Sequence, residues 1–141
     1  SRGLWKRRAE ACCALLVGFR AERIELLQSL KQRYNLFLLS NTNEMHIKQV
    51  NEELTRDFSV GNLQQLFTHA YYSYDLQMRK PDAAIFQHML DEQGLSAGET
   101  LFIDDSSLNT QAAASCGLQV LHKPAEVELC SALPAILGAV C

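Results

Sequence analysis

The feature that most constrains the fold of this chain is the alternation of short apolar runs with helical segments from Tyr34 onward. A short run of consecutive apolar residues that ends in polar residues is typical of a strand buried on both faces. The predicted strands are 34–40, 69–74, 100–103 and 118–121. Strands that alternate with helices through short connections predict βαβ units and a parallel sheet covered by helices, which is an α/β fold.

The segments between the predicted strands carry the end signals of helices. Asn43 is a favoured N-cap residue, and the helix after it places Ile47 and Leu54 on one apolar stripe. Pro81 suits the first position of the next helix, and Gly94 suits its C-terminal end. A third helix of small residues is predicted over 108–116.

Helical spacing also occurs outside this alternation. Cys12, Cys13 and Leu16 lie on one stripe with Ala9, which predicts a helix over 4–17. A second stripe, at Ile24, Leu27 and Leu30, predicts another helix before the first predicted strand. A terminal helical segment is predicted over 127–140.

Composition narrows the class of protein. The chain has 141 residues, a net charge of −3 and 48% apolar residues, which suits one globular domain and excludes a disordered chain. The absence of a concentrated basic face argues against nucleic acid as a partner, and the apolar stretches are shorter than the roughly 20 residues of a membrane span. Five cysteines without a C-x-x-C pair, and no visible secretory signal, predict reduced thiols in a cytoplasmic protein.

Polar side chains follow the predicted strands at the points where those strands end. Ser40 and Asn41 follow the first strand, Lys80 follows the second after a loop, and Asp104 and Asp105 close the third. In open parallel sheets ligands bind beyond the carboxyl ends of the strands, so we expect these side chains to converge on one edge.

The converging residue types suit phosphoryl chemistry. A hydroxyl beside a helix N-terminus binds phosphate oxygens, a lysine offsets negative charge, and paired carboxylates bind Mg²⁺. Taken one at a time, Ser40 and the Asp104–Asp105 pair also suit helix caps, and Lys80 also suits a surface charge. His46 lies about one turn from Ser40 and could face the same site. The chain has no G-x-G-x-x-G, P-loop or G-x-S-x-G motif.

Three segments in this order resemble motifs two, three and four of the haloacid dehalogenase-like (HAD) hydrolase superfamily. They are the strand that ends in Ser40-Asn41, the segment Arg79-Lys80-Pro81-Asp82, and the sequence Leu-Phe-Ile-Asp-Asp-Ser at 101–106. The resemblance spans about 24–121. Residues 40–46, together with Tyr-Tyr-Ser at 71–73, most resemble the small sugar-phosphate phosphatases of this superfamily, such as glucose-1-phosphate phosphatase.

The resemblance implies a function and a role for each of these residues. The activity is Mg²⁺-dependent hydrolysis of a small phosphorylated metabolite, such as a sugar phosphate, through an aspartyl-phosphate. Ser40 would bind the transferring phosphoryl group with help from the Asn41 backbone, and Lys80 would neutralise the nucleophile and the phosphate. Asp105 would ligate Mg²⁺ directly, and Asp104 would act through water or as a supporting partner.

The chain departs from the family pattern at motif one. Its first aspartate is Asp57, so no D-x-D precedes Ser40 and the nucleophile is absent. We therefore expect a Rossmann-like sheet without its central first strand, either closed up or left with a gap of about 9–10 Å. The expected domains are a remnant of a helical cap over 1–18 and a partial core over 19–141.

Two functional hypotheses follow from this departure. In the first, the sequence is the C-terminal portion of a phosphatase and is inactive by itself. In the second, it is a non-catalytic fragment or pseudoenzyme that binds phosphate or a protein partner. A signalling receiver domain fits less well, because its acidic pair should precede the lysine, whereas Lys80 precedes Asp104. The sequence does not determine the oligomeric state.

Overall fold

The core of the protein is a five-stranded sheet in the order β3-β2-β1-β4-β5, with every neighbouring pair parallel. The computed structural model describes residues 11–13 and 20–123, with side chains for 20–123. This sheet confirms the predicted α/β class. The strands are β1 (Ala11–Cys13), β2 (Asn35–Ser40), β3 (His69–Tyr72), β4 (Thr100–Asp104) and β5 (Gln119–His122).

Helices cover both faces of the sheet. They are α1 (Ala21–Arg33), α2 (Glu44–Phe58), α3 (Ser73–Leu76), α4 (Ala83–Gln93) and α5 (Ser107–Ser115), with short 3₁₀ turns at Leu63–Leu66 and Ala97–Glu99. Helices α1 and α2 pack on one face, and α4 and α5 pack on the other. Among the residues that the structure describes, no helix is long and apolar enough to cross a membrane.

Strand β2 shows why the sequence of the central strands is uniformly apolar. Leu36 and Leu38 join the core beneath α1 and α2, whereas Phe37 and Leu39 join the core beneath α4 and α5. Successive side chains of a strand point to opposite faces, so a strand covered on both sides needs apolar residues at consecutive positions.

The first strand corrects two of the sequence predictions. Ala11–Cys13 is a strand, not part of a helix, and it pairs with Asn35–Phe37 of β2 and Thr100–Phe102 of β4. The predicted absence of a central strand is therefore wrong, because the chain fills that position itself. Alanine and cysteine suit either a helix or a buried strand, and the open backbone groups of β2 and β4 favour the strand.

The cap remnant over 1–18 stays a prediction outside β1, because residues 1–10 and 14–19 lie outside the described part of the chain. The helical segment predicted over 127–140 also lies outside it.

The predicted helix ends are confirmed at two points and shifted at a third. Asn43 caps α2, since its Oδ1 accepts the His46 amide at 2.9 Å, and Gly94 ends α4 with φ of 65°. Pro81 does not begin a helix. The backbone of Asp82 stays extended, with ψ of 133°, so α4 begins at Ala83.

Candidate functional site

The carboxyl edge of the sheet holds a cleft of about 270 Å³. It is formed by residues that follow β2 and β4, the two strands that flank β1, and by the loop that carries Lys80. The lining residues are Ser40, Asn41, Thr42, His46, Lys80, Asp104, Asp105 and Asn109. The structure thus brings together all five site residues predicted from the sequence, and it places His46 beside them.

The floor of the cleft contains a buried ion pair. Lys80 Nζ donates to Asp104 Oδ2 at 2.8 Å, and the two side chains are only 5% and 2% exposed. The ammonium group also lies 5.7 Å from the centre of the Phe102 ring. Two further donors contact the same carboxylate, since the Ser106 amide reaches Oδ1 at 3.0 Å and Asn109 Nδ2 reaches Oδ2 at 3.2 Å. Asp104 is therefore held in place by three hydrogen bonds within the protein.

The environment of Asp104 stabilises its charged form. Burial acts to raise the pKa of Asp104, but the Lys80 charge and the hydrogen bonds from Lys80 and Ser106 outweigh burial and lower it below the ordinary value. Asp104 therefore stays ionised, and this fixes the position of the lysine ammonium beside the cleft.

Asp105 differs from Asp104 in its exposure and in the direction in which its pKa is shifted. Burial, with Asp104 adding a like charge, raises the pKa of Asp105 above its ordinary value. Its main-chain oxygen lies 2.9 Å from His122 Nε2, whereas its partly exposed carboxylate lines the cleft. A cation in the cleft would relieve the repulsion between the two carboxylates, so Asp105 is the oxygen donor suited to a metal.

Asn41 connects the end of β2 to the loop that carries the lysine. Its side-chain Nδ2 donates to the Lys80 main-chain oxygen at 2.9 Å, and its Oδ1 accepts the Lys80 amide at 3.0 Å. The peptide bond that follows, Lys80–Pro81, is cis. This pair of hydrogen bonds holds the backbone of Lys80, so the side chain of Asn41 acts on the site through the lysine.

Sequence analysis missed two contributors to the site, Ser73 and Asn109. Ser73 ties the β2 loop to the end of β3, because its Oγ accepts the Thr42 amide at 2.9 Å and donates to the Thr42 oxygen at 3.1 Å. Thr42 Oγ1 is buried without a hydrogen-bond partner among the described residues, and a buried hydroxyl in this state is costly. Asn109 could have been found from Ser106, because an N-cap serine places the residue three positions later at the same helix end.

The fold and the cleft define a class. The strand order of the parallel sheet reverses around the central strand β1, which is typical of a Rossmann-like α/β protein. The ion pair and the hydroxyl lie beyond the carboxyl ends of the strands, at this topological switch point. The family model for haloacid dehalogenase-like hydrolases matches residues 9–123. The chain therefore belongs to that family.

Curated relatives share parts of the chain. The D-ribitol-5-phosphate phosphatase of Bacteroides thetaiotaomicron is 28% identical over 102 residues, which are 71% of this chain and 48% of the relative. The sesquiterpene phosphatase of Aspergillus oryzae is 38% identical over 61 residues, which are 43% of this chain and 31% of the relative. The chain spans about half the length of these relatives or less.

Solved structures share the fold. A HAD family enzyme from Bacteroides thetaiotaomicron, in complex with magnesium and inorganic phosphate, superposes with a TM-score of 0.74 at 32% identity, over 84% of this chain and 59% of that one. A HAD-like hydrolase from Porphyromonas gingivalis gives a TM-score of 0.74 at 32% identity, over 86% of this chain and 57% of that one.

Proposed function

We propose that this chain supplies the phosphate-binding and metal-binding part of a magnesium-dependent site for small phosphate monoesters. The observation that carries the proposal is the meeting of Ser40, Lys80 and Asp105 in one cleft beyond the sheet. Family membership supports the hydrolase class, and the two phosphatase relatives support a phosphorylated small molecule as the ligand.

The residues of the cleft floor suit a phosphoryl group. Lys80 directs one of its three N–H bonds to Asp104 and retains two, so its ammonium can bind a phosphate oxygen while it stays anchored. Ser40 lines the same cleft and offers a hydroxyl donor. Because Asp104 neutralises part of the lysine charge, we expect the site to bind an anion together with a cation rather than an anion alone.

The donor set suits Mg²⁺ held with the phosphate. Within 11–13 and 20–123 no group of three or more histidine, cysteine or acidic side chains could hold a metal. Mg²⁺ often takes only one or two carboxylates and completes its shell with water and substrate phosphate. Asp105 would be the direct ligand and Asp104 a partner through water. The ion would supply positive charge to the phosphate oxygens.

Binding without turnover is a second candidate, and the composition of β1 favours it. Strand β1 occupies the central position, and the sequence holds no aspartate or glutamate between Glu10 and Glu22. No carboxylate therefore follows this strand closely enough to attack phosphorus as the family mechanism requires. On this basis we expect the chain to bind phosphate esters and not to form an aspartyl-phosphate.

Calorimetry and a turnover assay on the same 141-residue chain test these proposals. We expect inorganic phosphate to bind in the presence of Mg²⁺, to bind more weakly with EDTA, and to bind more weakly to the variants Ser40→Ala and Asp105→Asn. We expect no release of p-nitrophenol from p-nitrophenyl phosphate.

The outcomes separate the two candidates. A folded chain that does not bind phosphate would overturn the proposed site. Turnover that disappears in Ser40→Ala would show that this cleft hydrolyses esters, and binding without turnover would then be wrong. The narrower prediction of a sugar phosphate stays a prediction, because the two relatives are named for a polyol phosphate and a terpene phosphatase.

A further inference from the structure

The first turns of α2 and α5 form part of the rim of the cleft, because His46 and Asn109 line it, and these turns carry the two most exposed large apolar side chains of the described residues. Met45 is 71% exposed and Leu108 is 67% exposed, whereas Val120 follows at 38%. Met45 directly precedes the cleft-lining His46, and Leu108 directly precedes the cleft-lining Asn109. Single exposed apolar residues are ordinary on protein surfaces, but two beside one polar cleft call for an explanation.

Helices α2 and α5 place these two residues by the same local structure. In α2 the third residue donates its amide to the cap, from His46 to Asn43 Oδ1 at 2.9 Å. In α5 the amide of Asn109 reaches the Ser106 Oγ at 3.4 Å. Met45 and Leu108 are both second residues of their helices. Each helix thus places its third residue on the cleft and carries an exposed apolar residue one position earlier in the chain.

The two helices approach the cleft from different sides. Helix α2 follows β2 and packs in one core, whereas α5 follows β4 and packs in the other. Since β1 lies between β2 and β4, the two turns that carry these residues follow strands on opposite sides of the central strand. The rim thus includes two separate turns that each carry an exposed apolar residue.

The size of the cleft determines what reaches that rim. Its volume of about 270 Å³ lies below the roughly 300–1,000 Å³ of pockets that enclose a whole small ligand. A phosphoryl group on the floor would occupy the polar part, so the alcohol half of an ester would extend outward. The alcohol half would then extend toward the turns that carry Met45 and Leu108.

We propose that the cleft selects phosphate monoesters whose alcohol half is a hydrocarbon chain or ring, through contact with Met45 and Leu108. The inference rests on the proposed function of the cleft floor. Removal of apolar ligand surface from water stabilises the complex in proportion to the area buried. A polyol would keep its hydroxyl groups hydrated and would gain nothing from these two side chains.

Calorimetry with three ligands in the presence of Mg²⁺ tests this inference on the 141-residue chain. The ligands are inorganic phosphate, glycerol phosphate and hexyl phosphate. The variants are Met45→Gln, Leu108→Gln and the double variant, since glutamine keeps the length and helix propensity of the residue it replaces. Val120→Gln is the matched control, because it changes an exposed apolar residue that does not adjoin a lining residue.

We expect the wild type to bind hexyl phosphate about tenfold more tightly than glycerol phosphate. Each single variant should lose about threefold of that preference, and the double variant should lose it entirely. Inorganic phosphate should bind all four proteins equally, and Val120→Gln should behave as the wild type.

Three results would overturn the inference while the proposed function stands. They are equal affinity of the wild type for hexyl and glycerol phosphates, an unchanged preference in the double variant, and an equal loss in Val120→Gln. Failure of the folded wild type to bind inorganic phosphate would overturn the proposed function itself.

Discussion

Two polar networks, one in the cleft and one beside the last turn of α4, use the same kinds of hydrogen bond in different surroundings. In the cleft, Asp104 is 2% exposed and accepts from a lysine. Beside α4, the Tyr71 hydroxyl donates to Glu92 Oε1 at 2.6 Å and accepts from Gln93 Nε2 at 2.8 Å. Glu92 remains 47% exposed.

The pKa values follow this difference in exposure. The hydrogen bond from Tyr71 is the main cause that lowers the pKa of Glu92, and it outweighs the smaller effect of burial, which acts to raise it. For Asp104 the strongest influence is burial, and the Lys80 charge must overcome it. Hydrogen bonds therefore occur in both networks, but only the cleft holds paired charges away from water. This isolation makes the Lys80 network suitable for binding an ion and sensitive to substitution.

The largest expected effect is that of Lys80→Ala. It leaves the Asp104 carboxylate buried without its countercharge, so we expect a loss of about 3–5 kcal/mol in the free energy of unfolding. Phosphate binding should disappear. Urea denaturation and calorimetry measure the two effects, and Lys48→Ala, which removes an exposed lysine of α2, is the control.

A double variant keeps this test informative if Lys80→Ala does not fold. Lys80→Met with Asp104→Asn removes both charges, so most of the lost stability should return while phosphate binding stays absent. A double variant that binds phosphate as tightly as the wild type would show that Lys80 does not contact the ligand.

Asn41→Ala should have the next largest effect. It removes both hydrogen bonds to the Lys80 backbone, and we expect a loss of about 1–3 kcal/mol in stability. Phosphate affinity should fall about tenfold, because the lysine is less well positioned. Asn35→Ala, at an exposed position at the start of β2, is the control. Unchanged phosphate affinity would exclude a positioning role for Asn41.

The pH dependence of stability should separate the two neighbouring aspartates. The lowered pKa of Asp104 contributes stability above the ordinary carboxyl pKa of about 3.9, and that stability is lost as the pH falls through the folded-state value. The raised pKa of Asp105 acts in the opposite direction, since its contribution is lost as the pH rises.

Asp105→Asn should therefore stabilise the protein at pH 7 in EDTA, with the gain shrinking toward pH 4. Asp104→Asn should destabilise it at pH 7, with the loss shrinking in acid. Urea denaturation from pH 7 to below the ordinary carboxyl pKa of about 3.9 measures both slopes, and the exposed Asp91→Asn is the reference. Parallel slopes for the two variants would contradict the assigned environments.

The smallest expected effect is that of Tyr71→Phe in the network beside α4. It removes the hydroxyl that contacts Glu92 and Gln93 and keeps the ring packed in the core. Because Glu92 is exposed and Gln93 is only half-buried, both can regain water, and we expect a loss of stability well below that of Asn41→Ala. Phosphate affinity should not change. A loss of affinity would show that the two networks are coupled.

Local signals in the sequence were sufficient for most of the sheet. The buried runs of β2 and β4 and the cap at Asn43 are set by neighbouring residues, so they could be predicted without the fold. The strand at Ala11–Cys13 could not be predicted in this way. Its three small or apolar residues have no decisive propensity for either helix or strand. The open edges of β2 and β4 determine their conformation.

The sequence by itself determined four of the five strands, β2 to β5, and the residue types at their ends, because burial on two faces requires consecutive apolar residues that end in polar ones. Only the tertiary structure decided how those ends meet. The Lys80–Asp104 ion pair and the hydrogen bonds of Asn41 to the lysine backbone join positions far apart in the chain. Contacts of this kind depend on packing in three dimensions, which no local pattern of residues specifies.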